Sequence, residues 1–212
     1  KQQLQQLKYA SNLISLVGYS TVRRGILGDS TQTPDKAELA SILNLIEQSL
    51  TEGASGVSLG LAYSHEINVT DVEIIALAVL CAKYDKLLSV SLRNEADQIV
   101  DSVRDLAAIA DQTEVKLKIS HFKIRYQKNW SLLKDVLDVL EASWHRGTQI
   151  YFDCYPYTYT LQPLYTYLPA WSLVGGRTHL LEKVTDPEMR ARILGDLKNH
   201  PTRLSEMVIA ST

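Results

Sequence analysis

The chain is poor in the features that mark several broad classes of protein, and each shortage removes a possibility. It has two cysteines, Cys81 and Cys154, in 212 residues. That is too few for a disulfide scaffold, and the spacing is wrong for a structural zinc site. Both are expected to be buried free thiols. Long apolar runs are missing too: Ile74-Ile75-Ala76-Leu77-Ala78-Val79-Leu80 is far short of the roughly 20 residues a membrane helix needs. The start, Lys1-Gln2-Gln3, lacks signal-peptide architecture, so a cytoplasmic location is expected. Neither sign of charge dominates, with a net charge of −2 and both signs interspersed. Nucleic acid and anionic membranes are therefore not expected partners. Neither Gly-x-Gly-x-x-Gly nor Gly-x-x-x-x-Gly-Lys-Ser/Thr occurs, which leaves nucleotide binding without local support. No low-complexity linker or internal repeat divides the chain, so residues 1–212 are read as one α/β unit.

What is present is an alternation of strand-like and helix-like segments. Short apolar, β-branched runs cover Asn12 to Val17, Gly56 to Leu61, Leu87 to Leu92, Glu114 to Ser120, Thr148 to Asp153 and Met207 to Ala210. Being mostly continuous, they predict strands covered on both faces. Between them Leu39, Ile42, Ile46 and Leu50 form one helical stripe, and Leu133, Val136, Leu137, Leu140 and Trp144 another. Thr33-Pro34 predicts a cap with a first-turn proline, and Thr70-Asp71-Val72-Glu73 a capping box. Gly53 and Gly147 predict helix stops, and Asp186-Pro187-Glu188 a further helix start. Strand spacing of about thirty residues is that of a βαβ unit.

Chemistry-bearing residues recur after successive strands: Tyr63, His65 and Glu66; Arg93 and Glu95; His121 and Lys123; Asp153, Tyr155 and Tyr157. A (β/α) barrel brings such positions to one mouth, whereas an open sheet gathers them at one or two switch points. A barrel is favoured. In Ser120-His121-Phe122-Lys123, residues two apart along a strand share a face, which sets an imidazole beside an ammonium. Arg93 and Glu95 are read either as site residues or as a salt bridge bracing the third loop, and for Glu95 the salt bridge is preferred. His145, just before Gly147, is read as a surface residue at a helix end.

Five ordered motifs then carry a family resemblance: Gly18-Tyr19-Ser20-Thr21-Val22-Arg23, Glu52 to Tyr63, Leu92-Arg93-Asn94-Glu95, Ile119-Ser120-His121-Phe122-Lys123 and Asp153-Cys154-Tyr155-Pro156-Tyr157-Thr158. Leu168-Pro169-Ala170-Trp171 and Asp186 to Ile193 extend it. The chain resembles D-aminoacylases, the N-acyl-D-amino-acid deacylases of the amidohydrolase superfamily. The resemblance implies a TIM-like, metal-dependent (β/α) barrel that hydrolyses the amide bond of an N-acyl-D-amino acid, with zinc as cofactor. It implies His121 as a metal ligand. For the substrate's carboxylate it implies Lys123, Tyr63 and one of Tyr155 or Tyr157, and Arg93 stands beside them. Phenolic donors and a cation suit that task.

The sequence departs from the family pattern at three places. Ser91 stands where a Thr-His-x-Arg segment has a metal-ligand histidine, and a hydroxyl is a poor zinc ligand. The first-strand His-x-His and the late catalytic Asp do not occur. The reading is therefore a central piece of an amidohydrolase barrel, lacking first and last strands and inactive alone, with the catalytic residue unassigned. Two alternatives stand beside it: a non-catalytic barrel remnant that binds a small carboxylate or a partner, and a related amidohydrolase of different amide specificity. Unpaired sheet edges would favour self-association into a homo-oligomer.

Overall fold

A computed structural model describes residues 10–63, 65–198 and 207–208. Its centre is a five-stranded, all-parallel sheet in sequential order. The strands are β1 (Val17–Gly18), β2 (Gly56–Gly60), β3 (Leu87–Ser91), β4 (Lys116–Ile119) and β5 (Ile150–Phe152). Helices follow: α1 (Tyr19–Leu27), α2 (Lys36–Thr51), α3 (Asp71–Lys83), α4 (Ile99–Thr113), α5 (Leu133–His145), α6 (Ala170–Leu173), α7 (Gly176–Thr185) and α8 (Pro187–Leu197). Successive parallel strands joined by helices build the wall of a (β/α) barrel. Among the described residues β1 and β5 each pair with one neighbour.

The strands alternate more strongly than the sequence reading allowed. Val57, Leu88, Leu117 and Ile150 lie in register across the sheet, as do Leu59, Val90 and Ile119, and all are buried. They pack with Ile42, Ile46, Leu77 and Val103 of the helices. Each such side chain stabilises by about 1.5–3 kcal/mol through removal from water. The opposite face carries Ser58, Ser89 and Lys118 in register. A barrel wall has an outer face under the helices and an inner one toward the lumen, and here the inner face is polar.

Local signals set most helix ends. Thr70 caps α3 and Glu73 closes the capping box. Asp186 caps α8, with Pro187 in its first turn. Gly53 and Gly147 take φ of 101° and 89° just past α2 and α5. The start of α2 differs from expectation: its cap is Asp35, which with Glu38 makes a capping box, so Thr33-Pro34 lies outside the helix. The first strand is also shorter than predicted, since only Val17–Gly18 pairs with β2. In α5, Val136 and Leu140 are buried, whereas Leu133, Leu137 and Trp144 are exposed. Trp144 instead donates its indole N–H to the Ile150 carbonyl at 2.7 Å. Cys81 is buried in α3, but Cys154 lies past the end of β5 and is exposed, against expectation. Of the last predicted strand, Met207 and Val208 have no regular structure, and the rest falls outside the described residues, as does His200. No described helix is long and apolar enough to cross a membrane.

Candidate active site at the strand ends

Ser91 is the last residue of β3, and His121 follows β4 by two residues. Pairing of the two strands brings Ser91 Oγ to 2.9 Å from His121 Nε2. His121 is held in an unusual backbone conformation, φ 42°, which costs a non-glycine residue of order 1–3 kcal/mol. Three contacts hold it there. Its backbone N–H donates to the Asp153 carboxylate, Ser120 N donates to Val90 O at 2.9 Å, and Phe122 N donates to Asp153 O at 2.7 Å. Asp153 is itself paired with Lys118 at 2.6 Å. Burial alone would raise the Asp153 carboxyl, but Lys118 and the His121 N–H together hold it below the ordinary carboxylate range.

The other ring nitrogen of His121 faces Glu95. Nδ1 lies 3.1 Å from Glu95 Oε1, and Lys123 Nζ reaches the same oxygen at 2.6 Å. Lys123 Nζ is also 3.1 Å from His121 Nδ1. Glu95 is almost wholly buried, its side chain 8% exposed. Burial pushes its carboxyl up, and the bonds from His121 and Lys123 outweigh that push, so it ionises below its ordinary range. The preferred Arg93–Glu95 salt bridge is not the one formed. Arg93 donates instead to the carbonyls of Ile67 and Val69 at 2.9 and 2.7 Å, tying the loop after β3 to the loop after β2. The physical reason is reach: Lys123 rises on the neighbouring strand end and meets Glu95, while Arg93 points toward the preceding loop.

These groups open onto a cavity of ≈ 290 Å³ whose lining includes Tyr63, Ser91, Arg93, Glu95, His121 and Arg125. Tyr63 is half-buried at this wall, and burial followed by the charge of Glu95 raises its phenol above the ordinary value. The Tyr155 ring lies 5.7 Å from Lys123 Nζ, and its phenol is raised for the same two reasons. Tyr157 is 62% exposed, outside the cavity lining, and packs against Tyr155 and Tyr159. Of the six predicted site residues, Tyr63, Arg93 and His121 line the cavity, Lys123 and Tyr155 back it, and Tyr157 stands apart.

A second cavity, ≈ 380 Å³, runs along the polar inner face beside Ser58, Ser89, Ser120, His65 and Glu66. Burial pushes the Glu66 carboxyl up to about 7, although backbone N–H groups of Gly60 and Ser20 and the charge of Arg23 pull it the other way. Behind this wall Arg23, 1% exposed, donates to the carbonyls of Ser30, His65 and Gln32 and faces Glu73 at 3.5 Å. His145 is a surface residue, near Glu141 at 3.7 Å. His179 bonds the carbonyl of Gly175, the residue that caps its own helix. Ser91 as partner of His121, and Glu95 as acceptor for both His121 and Lys123, are relationships the sequence did not disclose. Only the spacing of β3 and β4, once registered, could have signalled them.

A metal does not fit the donors in view. Among the described residues no three His, Cys, Asp or Glu side chains converge as a metal site. The one aligned imidazole has Nε2 engaged by Ser91 and Nδ1 by Glu95 and Lys123.

Fold and site together define a barrel-type α/β unit with its polar residues gathered at the carboxyl ends of parallel strands. No family model matches the chain. It is 30% identical over 153 residues to N-acyl-D-aspartate deacylase from Alcaligenes xylosoxydans xylosoxydans, which covers 71% of the chain and 30% of that protein. D-aminoacylase from the same organism is 28% identical over 148 residues, covering 70% of the chain and 30% of the relative. Among solved structures, N-acyl-D-glutamate deacylase from Bordetella bronchiseptica, complexed with zinc and a phosphonate mimic of the tetrahedral intermediate, superposes with a TM-score of 0.71. It is 28% identical and covers 74% of this chain and 33% of that one. A D-aminoacylase with a binuclear metal centre matches with a TM-score of 0.66 at 26% identity, covering 70% and 31% of the two chains. The chain is thus kin, by sequence and by fold, to the D-aminoacylase and N-acyl-D-amino-acid deacylase family of amidohydrolases, and spans about 30% of the length of the curated relatives it matches.

Proposed function

We propose that the site recognises small N-acyl-D-amino acids, as part of an amidohydrolase unit that does not carry out metal-dependent amide hydrolysis alone. The observation that supports this is that Tyr63, Arg93 and His121 line one cavity at the strand ends of a barrel wall akin to those deacylases, with Lys123 against His121 and Tyr155 against Lys123. Lys123 and Arg93 supply positive charge for the substrate's carboxylate, and the phenols of Tyr63 and Tyr155, kept protonated by burial and by Glu95, supply donors. Tyr155 rather than Tyr157 takes the tyrosine role, because Tyr155 packs against Lys123 whereas Tyr157 is largely exposed. Zinc would supply an activated water and a polarised carbonyl in the metal-containing relatives. This chain's own described donors do not assemble such a centre.

Calorimetric titration with N-acetyl-D-glutamate, N-acetyl-D-aspartate and their L enantiomers tests the reading. Binding of a D compound, stronger than its enantiomer and weakened tenfold or more by Arg93→Ala, is expected, with no amino acid released when zinc is added. Failure of every N-acyl amino acid to bind, or zinc-dependent turnover by this chain, overturns it.

A further inference from the structure

We propose that Ser91, His121 and Glu95 form a hydrolytic triad, with Ser91 as an acyl-accepting nucleophile toward small acyl esters that enter the cavity at the strand ends. The inference does not depend on recognition of N-acyl-D-amino acids. It rests on a chain of contacts. Ser91 Oγ lies 2.9 Å from His121 Nε2, and His121 Nδ1 lies 3.1 Å from Glu95 Oε1. A nucleophile within hydrogen-bond reach of a base, which a third group orients in turn, is the defining geometry of such triads, and it recurs on unrelated folds. All three side chains line the same ≈ 290 Å³ cavity, so the nucleophile faces space that a substrate can occupy.

The surroundings favour the productive arrangement. Glu95 is buried and its Oε1 faces His121 Nδ1, and in the tautomer whose Nδ1 proton is directed at that carboxylate the Nε2 lone pair faces the Ser91 hydroxyl. The bond from the His121 backbone N–H to Asp153 pins the ring's base in place. Arg93 and Arg125 at the cavity wall favour acyl groups that carry an anionic end. The opposite tautomer, with Lys123 donating to Nδ1 and Nε2–H donating to Oγ, leaves Ser91 inert, and experiment separates the two.

The proposed step balances within the protein. The Ser91 O–H proton passes to His121 Nε2 as Oγ bonds to the acyl carbon. The ester C–O bond then breaks, and the leaving alcohol takes the proton from Nε2. Water repeats the sequence in reverse roles, releasing the carboxylic acid and restoring Ser91. No metal and no redox partner enter.

The test is labelling of the full chain with a fluorophosphonate probe in the presence of a strong chelator, followed by intact mass and peptide mapping, and paralleled by hydrolysis of p-nitrophenyl acetate. Stoichiometric label on Ser91 is expected. It should be lost in Ser91→Ala and in His121→Gln, and kept in Ser89→Ala, whose hydroxyl bonds Ser120 and lies outside the lining of the first cavity. Ester turnover should fall at least a hundredfold in Ser91→Ala while circular dichroism stays unchanged. A folded wild-type chain that takes no label, label that persists in Ser91→Ala, or turnover that vanishes on chelation overturns the proposal.

Discussion

Lys123 Nζ sits 2.6 Å from Glu95 Oε1, joining residues 28 apart in sequence and placing a cation and a carboxylate together where each is mostly shielded from water. Removing one member of a buried pair leaves the other uncompensated, which costs about 3–5 kcal/mol. Lys123→Met is therefore expected to lower stability by about 3 kcal/mol, at the low end because His121 still faces Glu95. Urea unfolding measures it, and the double variant with Glu95→Gln should recover most of the loss. The same carboxyl predicts an acid limb. Glu95 and Asp153 both ionise below their ordinary range in the folded protein, so the unfolded chain takes up protons first as pH falls. Their stabilisation is complete above the unfolded carboxyl value of roughly 4, and is lost below it.

Glu66 predicts the reverse slope. Burial raises its carboxyl to about 7, so between the unfolded value of roughly 4.3 and about 7 the unfolded chain has released a proton that the folded chain keeps. Rising pH through that window therefore destabilises the fold, by up to about 1.4 kcal/mol per pH unit. Glu66→Gln should flatten this slope and be the more stable protein near pH 7. Unfolding curves for both proteins at several pH values between 5 and 7.5 check it. Parallel curves would sink the assignment.

Gly56 is required by the sheet itself. A Cβ there would sit 2.1 Å from the Leu87 carbonyl oxygen, which is backbone and cannot swing aside. Gly56→Ala should push β2 from β3 and cost about 3 kcal/mol, the upper end for overpacking. Because the displaced strand ends carry Tyr63 and Ser91, probe labelling should fall along with the melting temperature.

Ser91→His tests whether a second imidazole makes a zinc site at these strand ends. The new imidazole would stand beside His121, whose Nε2 is now 2.9 Å from the serine hydroxyl, and two imidazoles favour zinc far more than one imidazole and one hydroxyl do. Zinc retained after desalting, where the wild-type chain retains none, is expected by plasma mass spectrometry. Fluorophosphonate labelling should disappear in the same protein.

Much of the architecture was legible in the sequence because its causes are local. The capping box at Thr70–Glu73, the Asp186-Pro187 start and the glycine stops act within a few residues, and the structure keeps them. The strand positions from Gly56 to Phe152 followed from short apolar runs, and the ordered motifs carry the resemblance to the deacylase family. Local signals failed where competing ones stood close together: Asp35, two residues after Thr33, took the cap because it forms a box with Glu38.

The partners at the site were decided only by tertiary structure. Nothing near Glu95 in the chain says that it will meet Lys123 and His121 rather than Arg93, nor that Ser91 will face an imidazole 30 residues on. Those contacts depend on the parallel register of β3 against β4, Val90 opposite Ile119, and on the left-handed turn at His121. The exposure of Cys154 likewise depends on where β5 ends and what covers it. Sequence alone determined the strand-and-helix alternation and the kinds of group at the strand ends, because propensity and capping act over one or two turns. Which of those groups touch was settled by strand register, because hydrogen bonds and ion pairs fall away within an ångström or two of misplacement.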